Sequence, residues 1–361
     1  MMTARRRRLN LGCALLVAFA AVGCGTSAVR SDKSGARRGP VALRLADTAY
    51  GPSDDLATFV RRVSEATKGQ VRIEVVSVFG GHASDAEAKV VRAVGSGSMD
   101  LGWIGSQVFD TLGVTSLSAL SAPMLIDSYP LERAVLDSPM AGRMLAGVAA
   151  AHVVGIGINP GYLTLPISST KPLLTPADWT GVGFGHYRSA TEEHAIRALG
   201  AIPVERFGPY RSKGLSSGEL QGFALGLPVY VKLELVEPAP FVAANVVLWP
   251  NVHVLVGNPS RLTQLTRAER ESLRSALRES GASAAQLATA SSTSLLAACA
   301  LGAHMGLATP EQLAVLRARF GDVYNTLQLD KTSAALLADI EALKAVAVPA
   351  KNPIISPSCS I

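Results

Sequence analysis

The sequence predicts an α/β protein of two lobes, and three observations carry that prediction. At 361 residues the chain exceeds one average domain, and 48% hydrophobic against 17% charged residues is enough for two cores. The first third alternates short β-branched runs with amphipathic helical stretches, an order that implies right-handed crossovers and a mainly parallel sheet. Residues 159–162, Asn-Pro-Gly-Tyr, then interrupt an apolar strand and mark a crossing into a second lobe. No internal repeat competes with this reading.

The leader comes first. Arg5, Arg6, Arg7 and Arg8 precede an apolar stretch at 9–22, too short to span a bilayer but suited to a secretory signal. Ala21-Val22-Gly23-Cys24 resembles a bacterial lipobox, so residues 1–23 are expected to be removed and Cys24 to carry a lipid anchor in the cell envelope. Residues 24–40 read as a flexible basic tether. Of the net charge of +6, residues 5–8 supply four and residues 25–40 another three, which leaves −1 on the remainder. That balance excludes a nucleic-acid footprint, which needs a basic face on the domain itself.

The first lobe is expected over residues 41–158 together with about 246–265. Residues 41–46 and 71–76 read as strands. Between them, Ser53 or Asp54 caps a helix with Leu56, Phe59, Val60 and Val63 on one face, closed by Lys68-Gly69. Ser84 and Asp85 open a second helix with Ala88, Val91 and Val94 inward. A Gly/Ser turn at 95–98 then feeds a third strand, 99–104, ending in Gly105-Ser106. The carboxyl ends of strands in open α/β sheets are where ligands bind, so Trp103 and Ser106 read as a ligand wall, the alternative being that Trp103 packs under a helix. Two helical stretches follow, 129–136 and one with Pro139 at its first position, before the strand 153–158.

The second lobe is expected over 159–245. It carries an extended stretch at 166–172, a capped turn at 175–179, a short strand at 182–184 and a helix at 189–199 closed by Gly200. Extended segments follow at 202–207 and within 218–227. Residues 245–248 and 252–256 read as strands returning to the first sheet. Thr266 with Glu269 forms a capping box, and the Ala-rich pattern beyond it suggests one helix of more than 30 residues, to Gly302, bracing both lobes within 266–345. Thr309-Pro310-Glu311 opens another helix and residues 332–344 form the last, before a tail at 346–361. Cys299 and Cys359 are the cysteines left after the leader and the anchor. Export would permit a bridge, but Cys299 sits in an Ala/Leu helical run, and a buried thiol is the expectation.

No enzyme motif survives inspection. Gly214-Leu215-Ser216-Ser217-Gly218 has the letters of a nucleophile elbow, but the residues before it, 209–213, read as loop rather than strand. Residues 155–161 miss the dinucleotide spacing, and the six His pair with no Ser or acid in a recognisable order. No Cys-x-x-Cys or Cys/His cluster has metal-ligand spacing, so neither metal nor cofactor is expected.

Four stretches do resemble a known family. Residues 95–109, Leu117-Ser118-Ala119-Leu120-Ser121-Ala122-Pro123-Met124-Leu125, Pro176-Ala177-Asp178-Trp179-Thr180-Gly181 and Ala198-Leu199-Gly200-Ala201-Ile202-Pro203-Val204 are similar, in order and spacing, to the solute-binding subunits of tripartite ATP-independent periplasmic (TRAP) transporters. The likeness runs from about residue 45 to 343. It implies a periplasmic-binding-protein-like fold with hinge strands and a brace helix, no catalysis, and a solute handed from the cleft to membrane subunits.

It also locates three departures. Where the family carries an arginine that grips a carboxylate, this chain has Gly185, and the nearest guanidinium is Arg188. The crossing segment Gly161-Tyr162-Leu163 lacks the family's second arginine, and Gln221-Gly222-Phe223-Ala224-Leu225 replaces an Asp-Gly followed by polar residues. A buried carboxylate without a guanidinium is costly, so a neutral or apolar-faced solute is expected. The walls would be Tyr50, Trp103, Ser106, Tyr162, Phe184, His186, Tyr187, Arg188 and Phe223. The alternative for Tyr187 and Arg188 is a solvated loop, and for Phe184 and Phe223 the lobe core. A second functional reading is a surface lipoprotein that lost transport and serves as a sensor's accessory or structural partner.

Overall fold

Runs of Val, Leu and Ile build two mixed sheets in a computed structural model that describes residues 39–361 apart from residues 82, 207 and 209. The leader, Cys24 and the tether up to residue 38 lie outside the described residues. The described strands are β1 (Val41–Asp47), β2 (Val71–Val76), β3 (Leu101–Gly105), β4 (Val154–Asn159), β5 (Leu165–Ser168), β6 (Gly183–Gly185), β7 (Ile202–Val204), β8 (Gly222–Leu225), β9 (Phe241–Ala243), β10 (His253–Gly257) and β11 (His304–Gly306). The first sheet runs β2-β1-β3-β10-β4 and the second β11-β9-β5-β8-β6-β7.

β1 pairs in parallel with β2 and β3, as the β-α-β-α-β order requires. β10 returns from the second lobe and slots antiparallel between β3 and β4. Of residues 245–248, expected to be a strand of the first sheet, Asn245 lies in a turn and 246–248 belong to no strand, with Leu248 N donating to Thr164 O at 3.0 Å in the crossing. The helices follow their sequence signals closely. Ser53 Oγ accepts from Leu56 N at 3.3 Å, and the helix Asp54–Ala66 buries Leu56, Phe59 and Val63. Thr175 and Asp178 cap the single turn Pro176–Trp179 reciprocally.

The chain crosses between sheets through a pair of antiparallel segments. Leu163 bridges Pro250, Thr164 N donates to Trp249 O at 2.9 Å, and Asn251 N donates to Tyr162 O at 2.9 Å. The contact is so close that a Cβ on Gly161 would overlap the Asn251 carbonyl. A continuous apolar cluster nonetheless joins Val91 and Met99 of the first lobe to Trp179, Phe184 and Ile196 of the second.

Three further expectations need correction. The brace is two helices, Arg267–Ser280 and Ala284–Ala300, not one. The break follows from local chemistry: Ser283 Oγ takes Gln286 N at 3.2 Å and Gln286 Oε1 takes Ser283 N at 2.8 Å, a capping box that starts a new helix. Gly281 beside it has no room for a side chain, because a Cβ would press on Pro160 and Asn159 in the crossing. Of residues 209–213, read as a loop, 210–213 instead open the helix Tyr210–Ser217. Ser216 therefore sits on a helix with its hydroxyl donating to Ser212 O at 3.0 Å, which is not the geometry of a nucleophile elbow. Finally, Cys299 and Cys359 are disulfide-bonded. The tail folds back along β11, where Met305 N donates to Cys359 O at 2.7 Å, and this brings Cys359 against the last turn of the helix Ala284–Ala300. Their Cα atoms lie 5.4 Å apart, within ordinary disulfide reach.

Candidate functional site

A cleft of about 1030 Å³ opens where β1 and β3 end and β10 begins. Across it stand residues 186–190 and two short helices, Tyr210–Ser217 and Leu227–Lys232. The position agrees with the rule that open α/β sheets bind ligands at strand carboxyl ends.

The first-lobe wall is made by strand ends and the helix that follows β2. Asp47 closes β1, is 5% exposed, and accepts Ala49 N at 3.2 Å through Oδ1. Glu87, in the first turn of the helix Ala86–Ser96, accepts Gly105 N at 2.9 Å and the Gln107 amide at 3.2 Å. Gln107 can fold back over the end of β3 only because Gly105 has no side chain; a Cβ there would overlap its amide. Burial pushes both carboxyls above their ordinary range, and for Glu87 the nearby Asp47 charge adds to the shift. His253 opens β10 and stacks on Trp103 at 5.5 Å, with Phe59 at 6.4 Å from the indole. Burial pushes His253 down to about 4, so its imidazole is neutral at neutral pH.

The second-lobe wall is less regular. His186, Tyr187 and Arg188 follow β6, with His186 Nδ1 2.6 Å from Tyr187 O. Arg188 Nε donates to Glu205 Oε1 at 3.3 Å, and its side chain is 47% exposed. Asp110 accepts Ser189 Oγ at 2.7 Å and Thr191 N at 3.0 Å, holding the start of the helix Ala190–Ala198 in place. Arg211 comes from the helix Tyr210–Ser217 and is 3% exposed. Its guanidinium carbon sits 5.0 Å from the centre of the Phe223 ring, its Nε has no hydrogen-bond partner, and among the described residues it joins no ion pair. Phe223 is the direct neighbour of Gly185 across β8 and β6.

Five of the nine expected wall residues meet at the cleft: Tyr50, Trp103, His186, Tyr187 and Arg188. Trp103 borders the cleft while 3% exposed, stacked on His253 and beside Phe59 of the helix Asp54–Ala66. The other four stand elsewhere. Ser106 is buried with its amide donating to Val252 O at 3.1 Å. Tyr162 packs in the crossing beside Gly226. Phe184 lies in the core, 4.8 Å from Trp179, and Phe223 is 1% exposed beneath Arg211. The premise of a cleft without an inward guanidinium fails at Arg211, which the loop reading of 209–213 concealed. Asp47, Glu87, Gln107 and His253 were also missed, although each lies on or beside a strand end that the sequence did mark. Among the described residues no group of His, Cys, Asp and Glu is arranged to hold a metal, and no helix is long and apolar enough to cross a membrane.

The family model described as "Bacterial extracellular solute-binding protein, family 7" matches residues 52–330. Similar solved structures include a TRAP periplasmic solute-binding protein from Roseobacter denitrificans with bound β-D-glucuronate, at 18% identity and TM-score 0.75, covering 84% of this chain and 99% of that one. One from Ralstonia eutropha with (S)-2-acetolactate has 19% identity and TM-score 0.74, with 84% and 98% covered. Another from a Polaromonas species, bound to D-erythronate, has 16% identity and TM-score 0.73, with 84% and 99% covered. No curated protein matches the chain.

Proposed function

The chain belongs to the bacterial extracellular solute-binding protein family 7, and from that premise we propose that its cleft captures a small organic anion for a TRAP-type transporter, with Arg211 as the anchor. Proteins of this family are transport components that bind solutes and work with membrane subunits. Anchoring through Cys24 belongs to the same proposal.

The observation that carries the anion is the unpaired Arg211. A buried cation without a counter-charge is costly, and the Phe223 ring beneath it offsets only ~1–2 kcal/mol. A carboxylate brought by the solute removes the deficit and adds charge-assisted hydrogen bonds. This replaces the neutral, apolar-faced solute expected from Gly185. The three related proteins named above hold glucuronate, acetolactate and erythronate, all carboxylates, which supports the same class. Contacts from both walls would favour a closed state, so binding and hinge closure are coupled. The reading of a transport-incompetent accessory loses its motive, since that motive was the missing guanidinium.

The test is a thermal-shift and calorimetric screen of organic acids against their amides. Acids should raise the melting temperature and amides should not. Arg211→Met, which keeps volume and removes charge, should lower the affinity of any acid hit by about a hundredfold or more while leaving the unliganded protein folded. Equal binding of acids and amides, or an Arg211→Met protein that binds as well as the parent, would sink the proposal.

A further inference from the structure

We infer that the solute carries a positively charged nitrogen opposite its acidic group, read by Asp47 and Glu87; this rests on the anion reading above and specifies the other end of the same cleft.

The argument is one of missing counter-charges. Most acids around the cleft have a cation of their own: Asp85 pairs with Lys89 at 2.8 Å, Glu205 with Arg188 at 3.3 Å, and Glu193 with Arg197 at 2.7 Å. Asp47 and Glu87 have none among the described residues. Their hydrogen bonds come from neutral donors, Ala49 N for one and Gly105 N with the Gln107 amide for the other. Arg211, 3% exposed with an unpartnered Nε, is the complementary deficit on the opposite wall. The cleft therefore presents negative charge on the first lobe, from buried Asp47 and half-buried Glu87, and buried positive charge on the second, with neither paired to an opposite charge among the described residues.

A solute with a carboxylate alone would satisfy one wall and meet repulsion at the other. One that also bears an ammonium satisfies both, and the two walls fix its direction. Burial holds both acids above their ordinary range, and the Asp47 charge adds to the shift at Glu87, an effect that a cation bound beside them opposes. His253 adds no competing charge because it is neutral. The cationic residues Arg92 and Lys232 also border the cleft, but both are exposed and hydrated.

Matched pairs that differ only in the donor test this directly on the full chain: L-alanine with L-lactate, L-aspartate with L-malate, L-glutamate with L-2-hydroxyglutarate. In at least one pair the amino member should bind about tenfold tighter or more by calorimetry. The Asp47→Asn, Glu87→Gln double variant should bring that ratio towards one, by weakening the amino member and relieving the repulsion felt by the hydroxy acid. Glu87→Gln alone, which keeps an oxygen for the Gly105 amide, serves if the double variant does not fold. Hydroxy acids that bind as tightly as their amino partners, a ratio that survives in the variants, or an amino series with no binding at all would each overturn the inference. Amino acid amides that bind as tightly as the acids would support the ammonium end while overturning the anion at Arg211.

Discussion

The two walls of the cleft are built by different means. The first-lobe wall stands on β1, β3 and β10, strands of five to seven residues whose ends are set by sheet register. Its polar groups are held by backbone amides, Ala49 N on Asp47 and Gly105 N on Glu87. The second-lobe wall stands on three-residue β6, the loop after it, and the eight-residue helix Tyr210–Ser217. Its buried guanidinium, Arg211, lies over the face of Phe223, with no hydrogen-bond partner at Nε. The contrast teaches that a charge at a strand rim is pre-positioned by the sheet. A charge on a short helix is positioned by whatever that helix packs against.

Three perturbations test this contrast, from large to small. Reducing Cys299–Cys359 opens a link across 60 residues and should cost roughly 4 kcal/mol in the chain-entropy account. Because that bond ties the tail, which pairs with β11, to the helix Ala284–Ala300, hydrogen exchange should accelerate in β9 and β11 and leave β1 to β3 protected. A melting temperature indifferent to reductant would show that the second lobe owes nothing to its tail. Gly105→Ala attacks the other wall. It should displace Gln107 and remove its bond to Glu87, costing about 1–2 kcal/mol by urea unfolding, with solute affinity weakened as well. A variant as stable as the parent would mean the strand end is looser than its register implies. Arg188→Ala should matter least. Its exposed pair with Glu205 is worth below about 1 kcal/mol, so affinity should shift by less than about threefold. A loss comparable to that of Arg211→Met would move the anchor to the rim.

Much of this was legible beforehand. Ser53, Thr175, Thr266 and Thr309 start helices where their side chains said they would, because capping is a contact within four residues. Residues 252–256 were placed in the first sheet for their β-branched run, and β10 lies there. The failures have a common cause. Nothing in Tyr210 to Ser217 repeats an apolar stripe, since the helix turns Arg211 and Gly214 inward, so pattern reading returned a loop. The break at Gly281 to Ser283 was hidden by an Ala-rich run on both sides, although Ser283 with Gln286 is a capping box in plain letters. Phe184 and Phe223 are aromatic, as ligand walls often are, but adjacency in sequence to a binding loop does not say which face of a strand the ring takes.

The sequence alone determined the class of molecule: two α/β lobes, a crossing at Asn159 to Tyr162, and a family whose members bind solutes. Those properties rest on hydrophobic period, caps and chain breaks, all of which are local. Tertiary structure decided the charge pattern of the cleft and the closure of the disulfide. Arg211 stands 26 positions beyond Gly185, and Cys359 stands 60 beyond Cys299. Only packing brings such pairs together, since the free energy that places them comes from burying neighbours far along the chain.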